Sequence, residues 1–303
     1  MTKVPADHKA GFIAIIGRPN VGKSTLMNCF VGQKVTAVSP KPQTTRNRIA
    51  GVKTTEMYQM IFWDTPGIHH AETLFNREMV RLALKTLDDV DLILWMIDAS
   101  GPLSDEDRQI QGHLREVQTP IVVALNKVDL VRVKPELLPM IDACQKLMPS
   151  AEVIPISVTE GVNMDRLEHI LITYLPEAPR FFPPEQATDQ PQYLLVAEII
   201  REKVFQLMHQ EVPYAVAVQV DEMGERQEER IMDIQATIYV EKDSQKGILI
   251  GAGGQMLKKI GQQARNEIER SFGTRVYLGL WVKVRKEWRK DAEALRRFGY
   301  LHG

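Results

Sequence analysis

Between residues 11 and 174, short apolar runs alternate with amphipathic stretches: FIAII (12–16), YQMIFW (58–63), LILWMI (92–97), PIVVALN (120–126) and EVIPIS (152–157). Each run has strand length and is apolar at consecutive rather than alternate positions. Strands of that kind are buried on both faces, as a mostly parallel sheet requires, and the amphipathic stretches between them carry the helical period. The pattern predicts an α/β domain with helices on both sides of its sheet. A helix start agrees with it, since Ser104 precedes Asp105, Glu106 and Asp107, a cap followed by negative charge in a first turn.

Residues 176–191, PEAPRFFPPEQATDQP, are rich in proline and show neither period, which reads as a linker. Beyond it the rhythm changes. A helix over about 194–209 is followed by strands over about 214–220 and 231–240 and a short helical stretch. The loop LIGAGG (249–254), the helix QMLKKIGQQARNEIERSF and the strand RVYLGLWVKVR complete the chain's second half. The order α-β-β-α-α-β predicts a small α+β domain. The expected boundaries are 9–176 for the first domain, 177–192 for the linker and 193–303 for the second domain.

Composition adds little until it is divided. The 303 residues are 44% hydrophobic and 25% charged, with a net charge of −1, which suits two soluble globular domains. Residues 242–303 hold 14 Lys and Arg against 6 Asp and Glu, whereas 193–241 hold 4 against 10. The last sixty residues are therefore a candidate basic surface. Cys29 and Cys144 lack any CxxC spacing, so neither a disulfide framework nor a zinc site is expected. The N-terminus has no signal-like apolar core and no apolar run exceeds strand length, so a cytoplasmic location is expected; the working expectation is a monomer, on which the sequence carries no signal.

The chemistry begins at Gly17–Ser24, GRPNVGKS, between an apolar strand and the helical stretch TLMNCFV. Strand, glycine loop and helix start aim backbone N–H groups and a helix dipole at a phosphate chain. Gly17, Asn20, Val21, Gly22, Lys23, Ser24 and Thr25 are the expected contacts. Lys23 reaches the outer phosphates, and the Ser24 hydroxyl holds magnesium. Asp64, Thr65, Pro66 and Gly67 end the strand YQMIFW, placing a carboxylate that holds magnesium through water and a Gly67 N–H that senses the γ-phosphate. NKVD follows another apolar strand. Guanine offers N1–H and a 2-amino group to one carboxylate and adenine does not, which makes Asp129 the specificity residue, with Asn126 near the base O6 and N7 edge and the Lys127 stem over the ring. Ser157, followed by Val158, lies where a loop closes over the base. NKVD also argues against an ATP-dependent kinase.

With these motifs in this order, residues 11–174 resemble the translation-factor-related GTPases and, within them, the Era family. That resemblance implies a Ras-like P-loop GTPase domain with a mixed, mostly parallel sheet, GTP/GDP and Mg2+ as ligands, and hydrolysis to GDP and phosphate. It implies that PQTTRNR (42–48) is the first switch, with Thr45, ahead of Thr44, closing magnesium coordination. Ile68 stands where many signalling GTPases have a water-orienting glutamine. Members of the group with an asparagine at the position of Asn20 use K+ in place of an arginine finger, so Asn20, Lys23, Thr45 and Gly67 form the catalytic set. His69 and His70 read as solvated. Val158 departs from the usual alanine, though its N–H remains.

The second glycine loop, Ile250, Gly251, Ala252, Gly253 and Gly254, sits between two helices and is followed by Lys258 and Lys259. This is the GxxG form of a KH domain, which clamps about four nucleotides through its backbone. Element order and local charge support a type II KH domain, and the family resemblance continues through it. Ala252 and Gly253 stand where relatives often carry lysine. The resemblance implies as partner the 3′ end of 16S rRNA and a role in 30S maturation. The alternative is a switch whose C-terminal domain binds a protein or the inner face of the membrane. KVRKEWRK (283–290) reads either as an extension of the RNA surface, with Trp288 stacking, or as a solvated strand end.

Overall fold

Isoleucines 13 and 15 point to one side of the first strand while Ala14 and Ile16 point to the other, and all four are fully buried. That is why the run FIAII shows no alternation. The computed structural model describes residues 5, 7–38, 49–65, 67, 74–132, 134–226 and 231–300. The described chain divides into two compact units, of which the second takes in residues 36–38, 74–75, 190–226 and 231–300.

In the first unit the strands are β1 (Lys9–Ile16), β2 (Ile49–Thr54), β3 (Tyr58–Asp64), β4 (Leu92–Asp98), β5 (Ile121–Asn126) and β6 (Glu152–Pro155), in the sheet order β2-β3-β1-β4-β5-β6. All neighbours are parallel except β2, which runs antiparallel to β3. The helices are α1 (Lys23–Val31), α2 (Leu74–Lys85), α3 (Asp105–Leu114), α4 (Leu137–Leu147) and α5 (Met164–Tyr174). One core layer joins Ile13, Ile15 and Phe62 to Leu26 of α1 and Leu167 of α5. The other joins Ile16, Trp95 and Val123 to Ile110 of α3 and Cys144 of α4. The Ser104 signal is a capping box: its side chain accepts from the Asp107 N–H at 3.2 Å, and Asp107 Oδ2 accepts from the Ser104 N–H at 3.0 Å.

The apolar pattern does not reveal β2. IAGVKT is short and interrupted by Gly51, which packs against Met27, and its pairing is imposed by β3 across a tight turn in which the Thr55 N–H donates to Tyr58 O at 2.9 Å. The proline-rich segment is bound to this unit rather than loose. Gln59 Oε1 accepts from the Phe181 and Phe182 N–H groups at 2.8 and 3.0 Å, Thr188 bridges to Gly51, and Asp189 Oδ1 accepts from the Ala50 N–H at 3.2 Å. Prolines lack N–H donors, so side chains and isolated bridges do the fastening.

The second unit has α6 (Gln192–Leu207), β7 (Ala217–Arg226), β8 (Ile231–Val240), α7 (Asp243–Ile250), α8 (Gln255–Phe272), β9 (Arg275–Val284) and α9 (Ala292–Arg297), which is the expected order with one more helix. Strand β8 is central, antiparallel to β7 and parallel to β9. Ile260, Ala264 and Ile268, spaced four apart, form the buried stripe of α8 and pack with Val196, Ile200, Ile234 and Ile238. Neither reading of KVRKEWRK holds for Trp288. Its ring is fully buried, its Nε1–H donates to Ala215 O at 2.9 Å, and Phe298 meets it edge-on at 5.4 Å. It is a core anchor for the C-terminal helix and is closed to any base.

Candidate nucleotide and nucleic-acid sites

Parallel register gathers the candidate residues at one edge of the first sheet. Ile15 pairs with Asp64, Ile16 with Trp95 and Asp98 with Asn126, so the ends of β1, β3, β4 and β5 lie side by side. Ligands of open α/β sheets bind at that carboxyl edge. Residues 17–22 turn from β1 into α1. Gly22 adopts φ 106°, and a Cβ there would lie 2.4 Å from Asn126 Nδ2, so no side chain fits. Asn20 also has a positive φ, 66°.

Lys23 is buried, and its Nζ donates to the carbonyls of Gly17 and Arg18 at 2.9 and 3.0 Å. Burial lowers its pKa from 10.5 to about 8, with the Asp64 carboxylate opposing the shift. The Ser24 hydroxyl donates to Asp64 Oδ2 at 2.7 Å. A hydroxyl and a carboxylate in contact make a hard-oxygen pair that fits magnesium, which takes few protein ligands and draws the rest from phosphate and water. Among the described residues no group of three or more His, Cys, Asp or Glu could hold a metal by itself.

On the base side, Asp129 is exposed and its Oδ1 accepts from the Ser157 hydroxyl at 2.6 Å. The hydroxyl orients the carboxylate and leaves the other oxygen open. Asn126, expected at the base edge, is buried between loops. Its Nδ2 donates to Val21 O at 2.8 Å, and its Oδ1 accepts from the Val158 N–H at 3.2 Å. It ties the phosphate loop to the loop carrying Ser157. Lys127 takes a left-handed conformation, φ 67°, and its Nζ donates to Asp98 Oδ2 at 2.7 Å.

Sequence reasoning missed Asp98, Asp107 and Arg18. The Arg18 guanidinium lies 3.5 Å from Asp98 and 3.6 Å from the buried Asp107. Burial pushes the Asp98 carboxyl up, but the hydrogen bonds from Lys127 and Ser100 outweigh it and hold the group below the ordinary carboxylate value. A signal was available, because Asp98 ends the run LILWMI just as Asp64 ends YQMIFW. Thr45, Ile68, His69 and His70 lie outside the described residues.

In the second unit, Gly251 ends α7 at φ 72° and Gly254 caps α8 at φ 78°. A Cβ on Gly251 would stand 2.8 Å from that of Met256, so the loop can run this close to α8 only with glycine. Ala252 and Gly253 are exposed, as are Lys258 and Lys259 in the first turns of α8, while Ile250 packs against the core. Exposed backbone, a helix N-terminus and two cations make an anion-accepting edge.

The sequence profile described as a 50S ribosome-binding GTPase matches residues 12–127, and that of a KH domain matches residues 211–289. A Ras-like P-loop GTPase domain followed by a KH domain is the class that fold and site define. GTPase Era of Staphylococcus haemolyticus is 47% identical over 295 residues, which is 97% of this chain and 98% of that protein. Two solved structures match with TM-score 0.94 at 42% identity, each over 97% of this chain and 100% of its own. One is Era in complex with MgGDPNP and nucleotides 1506–1542 of 16S ribosomal RNA, the other a point variant of Aquifex aeolicus Era bound to GDP and aluminium fluoride. The chain belongs to the Era family of GTPases. Among the described residues no helix is long and apolar enough to cross a membrane.

Proposed function

We propose that this protein binds and hydrolyses GTP and, in its GTP state, grips the 3′ end of 16S rRNA to promote maturation of the 30S subunit. Residues 9–176 form the GTPase domain, 177–192 the connection and 193–303 the KH-type RNA-binding domain. The observation that carries the guanine assignment is the exposed Asp129 carboxylate held by Ser157, at the sheet edge that also carries the phosphate loop. The RNA assignment is supported by the open glycine loop and by the relative bound to nucleotides 1506–1542 of 16S ribosomal RNA.

The backbone of Gly17, Asn20, Val21 and Gly22, with Thr25 behind it, cradles the phosphates, and Lys23 neutralises their outer oxygens. Ser24, Thr45 and Asp64 hold Mg2+, the last through water; when bound it offsets the charge that develops as the terminal phosphoryl group leaves. The Gly67 N–H reports the γ-phosphate, and Asn126 keeps the two loops in register. Asn20 would hold K+, which would supply positive charge in place of an arginine finger where Ile68 cannot orient water. Ribosome assembly places the work in the cytoplasm, and contact with the inner face of the membrane is peripheral. RNA crosslinked to the protein in cells, sequenced from GTP-bound and GDP-bound forms, tests the reading: reads should concentrate at the 3′ end of 16S rRNA in the GTP form. A scattered or nucleotide-independent pattern counts against it.

A further inference from the structure

Strand β9 is one of the two edge strands of the second unit's sheet, and its two faces differ sharply. Val276 and Val282, with Leu278, Leu280 and Val284, face the core. The opposite face presents Arg275, Tyr277, Gly279, Trp281 and Lys283 in strict alternation: cation, aromatic, glycine, aromatic, cation. Tyr277 is 52% and Trp281 51% exposed. Large aromatics left in water on one strand face are costly unless something covers them.

The chemistry around the rings selects the cover. Strand β9 carries two cations and no acid. The nearest carboxylate on β8, Asp233, is paired with Arg226, whose guanidinium also lies 5.0 Å from the centre of the Tyr277 ring. Asp221 accepts from the Thr237 hydroxyl at 2.6 Å, and Glu222 of β7 lies across the sheet from β9, opposite Gln235. Strand β9 itself is therefore cationic at both ends of the row of rings, while the acids Asp221 and Glu222 belong to β7. Tyr277 and Trp281 lie four positions apart, about 13 Å along the strand, and the Trp281 ring leans over Gly279, where a Cβ would stand 3.0 Å from its Cη2. At Gly279 a Cβ would collide with Gln235 Oε1, and that buried oxygen has no hydrogen-bond partner. Flat rings spaced along a strand, flanked by cations, are the means by which proteins hold unpaired bases and their phosphates.

We infer that the outer face of β9 is a second RNA surface, on which Tyr277 and Trp281 stack two bases of a single strand while Arg275 and Lys283 hold its phosphates. It rests on the RNA-binding role proposed above and adds a contact distinct from the glycine loop. The loop clamps about four nucleotides, so a longer strand has bases left to place.

The test uses the full chain and two single-stranded RNAs from the same sequence, about five nucleotides long, enough for the loop, and about twenty. Tyr277→Leu/Trp281→Leu should weaken the long RNA about tenfold or more and leave the short one unchanged. Trp281→Phe, which keeps a ring, should stay near wild type. The long RNA should also quench tryptophan emission in the wild type and not in Trp281→Phe, since Trp95 and Trp288 are fully buried and Trp63 is partly covered.

Unchanged long-RNA affinity in the double leucine variant overturns the inference, as does an equal loss in Trp281→Leu and Trp281→Phe. Self-association that depends on the two rings and ignores RNA assigns the face to a second copy, which also overturns it. The loop reading is tested separately by Ala252→Asp/Gly253→Asp at exposed positions, with a melting curve to check folding because Gly253 has φ 56°. That variant should lose both RNAs. If it binds both normally, the loop assignment fails while the β9 result stands on its own.

Discussion

Lys127 Nζ donates to Asp98 Oδ2 at 2.7 Å, and the same carboxylate oxygen lies 3.5 Å from Arg18. One side chain at the end of β4 thus braces both the base-side loop and the phosphate loop. Asp98→Asn should weaken GDP and GTP alike by about 1–3 kcal/mol, a loss of roughly 5- to 150-fold, chiefly through faster release. A double-mutant cycle with Lys127→Met should be non-additive; strict additivity would show that the contact does not position Lys127.

The two residues of NKVD that the sequence groups together should separate in their mutants. Asp129→Asn should shift preference from GTP toward xanthosine triphosphate, because the amide can donate to the xanthine carbonyl where the carboxylate accepted from guanine. Asn126→Ala should weaken both nucleotides equally, because its amide bonds to Val21 and Val158. A base-selective defect in Asn126→Ala would contradict its role as a loop tie.

Lys23 links binding to pH. Without nucleotide its pKa is about 8, against 10.5 when unfolded. Between those values the unfolded chain holds more protons than the folded one, so this residue's contribution to stability rises with pH across the window. Bound phosphate restores the charged form. Calorimetry in buffers of different ionisation enthalpy should therefore show proton uptake on GDP binding near pH 9, little near pH 7, and none attributable to this site in Lys23→Met.

Trp288→Ala should destabilise the second unit by about 3–5 kcal/mol through the cavity and the orphaned Ala215 carbonyl. Under conditions where the variant remains folded, its RNA affinity should match wild type. A selective RNA defect with unchanged unfolding would restore Trp288 as a stacking residue.

GTP turnover should be faster in potassium than in sodium chloride, and Asn20→Ala should remove the difference. Equal rates in both salts, unaltered by the substitution, would leave Asn20 with no role beyond the turn of its loop.

The sequence by itself determined whatever depends on neighbours along the chain. GRPNVGKS is legible because a phosphate cradle is a strand, a turn and a helix start in succession, and α8 is legible because its stripe recurs every four residues. Asp129 is singled out by its place in NKVD, and the second glycine loop by its place between two helices. Tertiary structure decided what depends on residues far apart. IAGVKT becomes a strand because β3 offers it an edge. Asn126 becomes a tie between loops because Val21 and Val158 arrive from two other segments to take its amide. Trp281 and Trp288 are only seven residues apart and identical in chemistry, yet one is half exposed on a sheet edge and the other sealed. The difference is made by Phe298, which returns on the last helix to close over Trp288, while among the described residues no helix covers the outer face of β9 at Trp281. Burial is a property of what comes to lie against a side chain, and no local pattern carries that information.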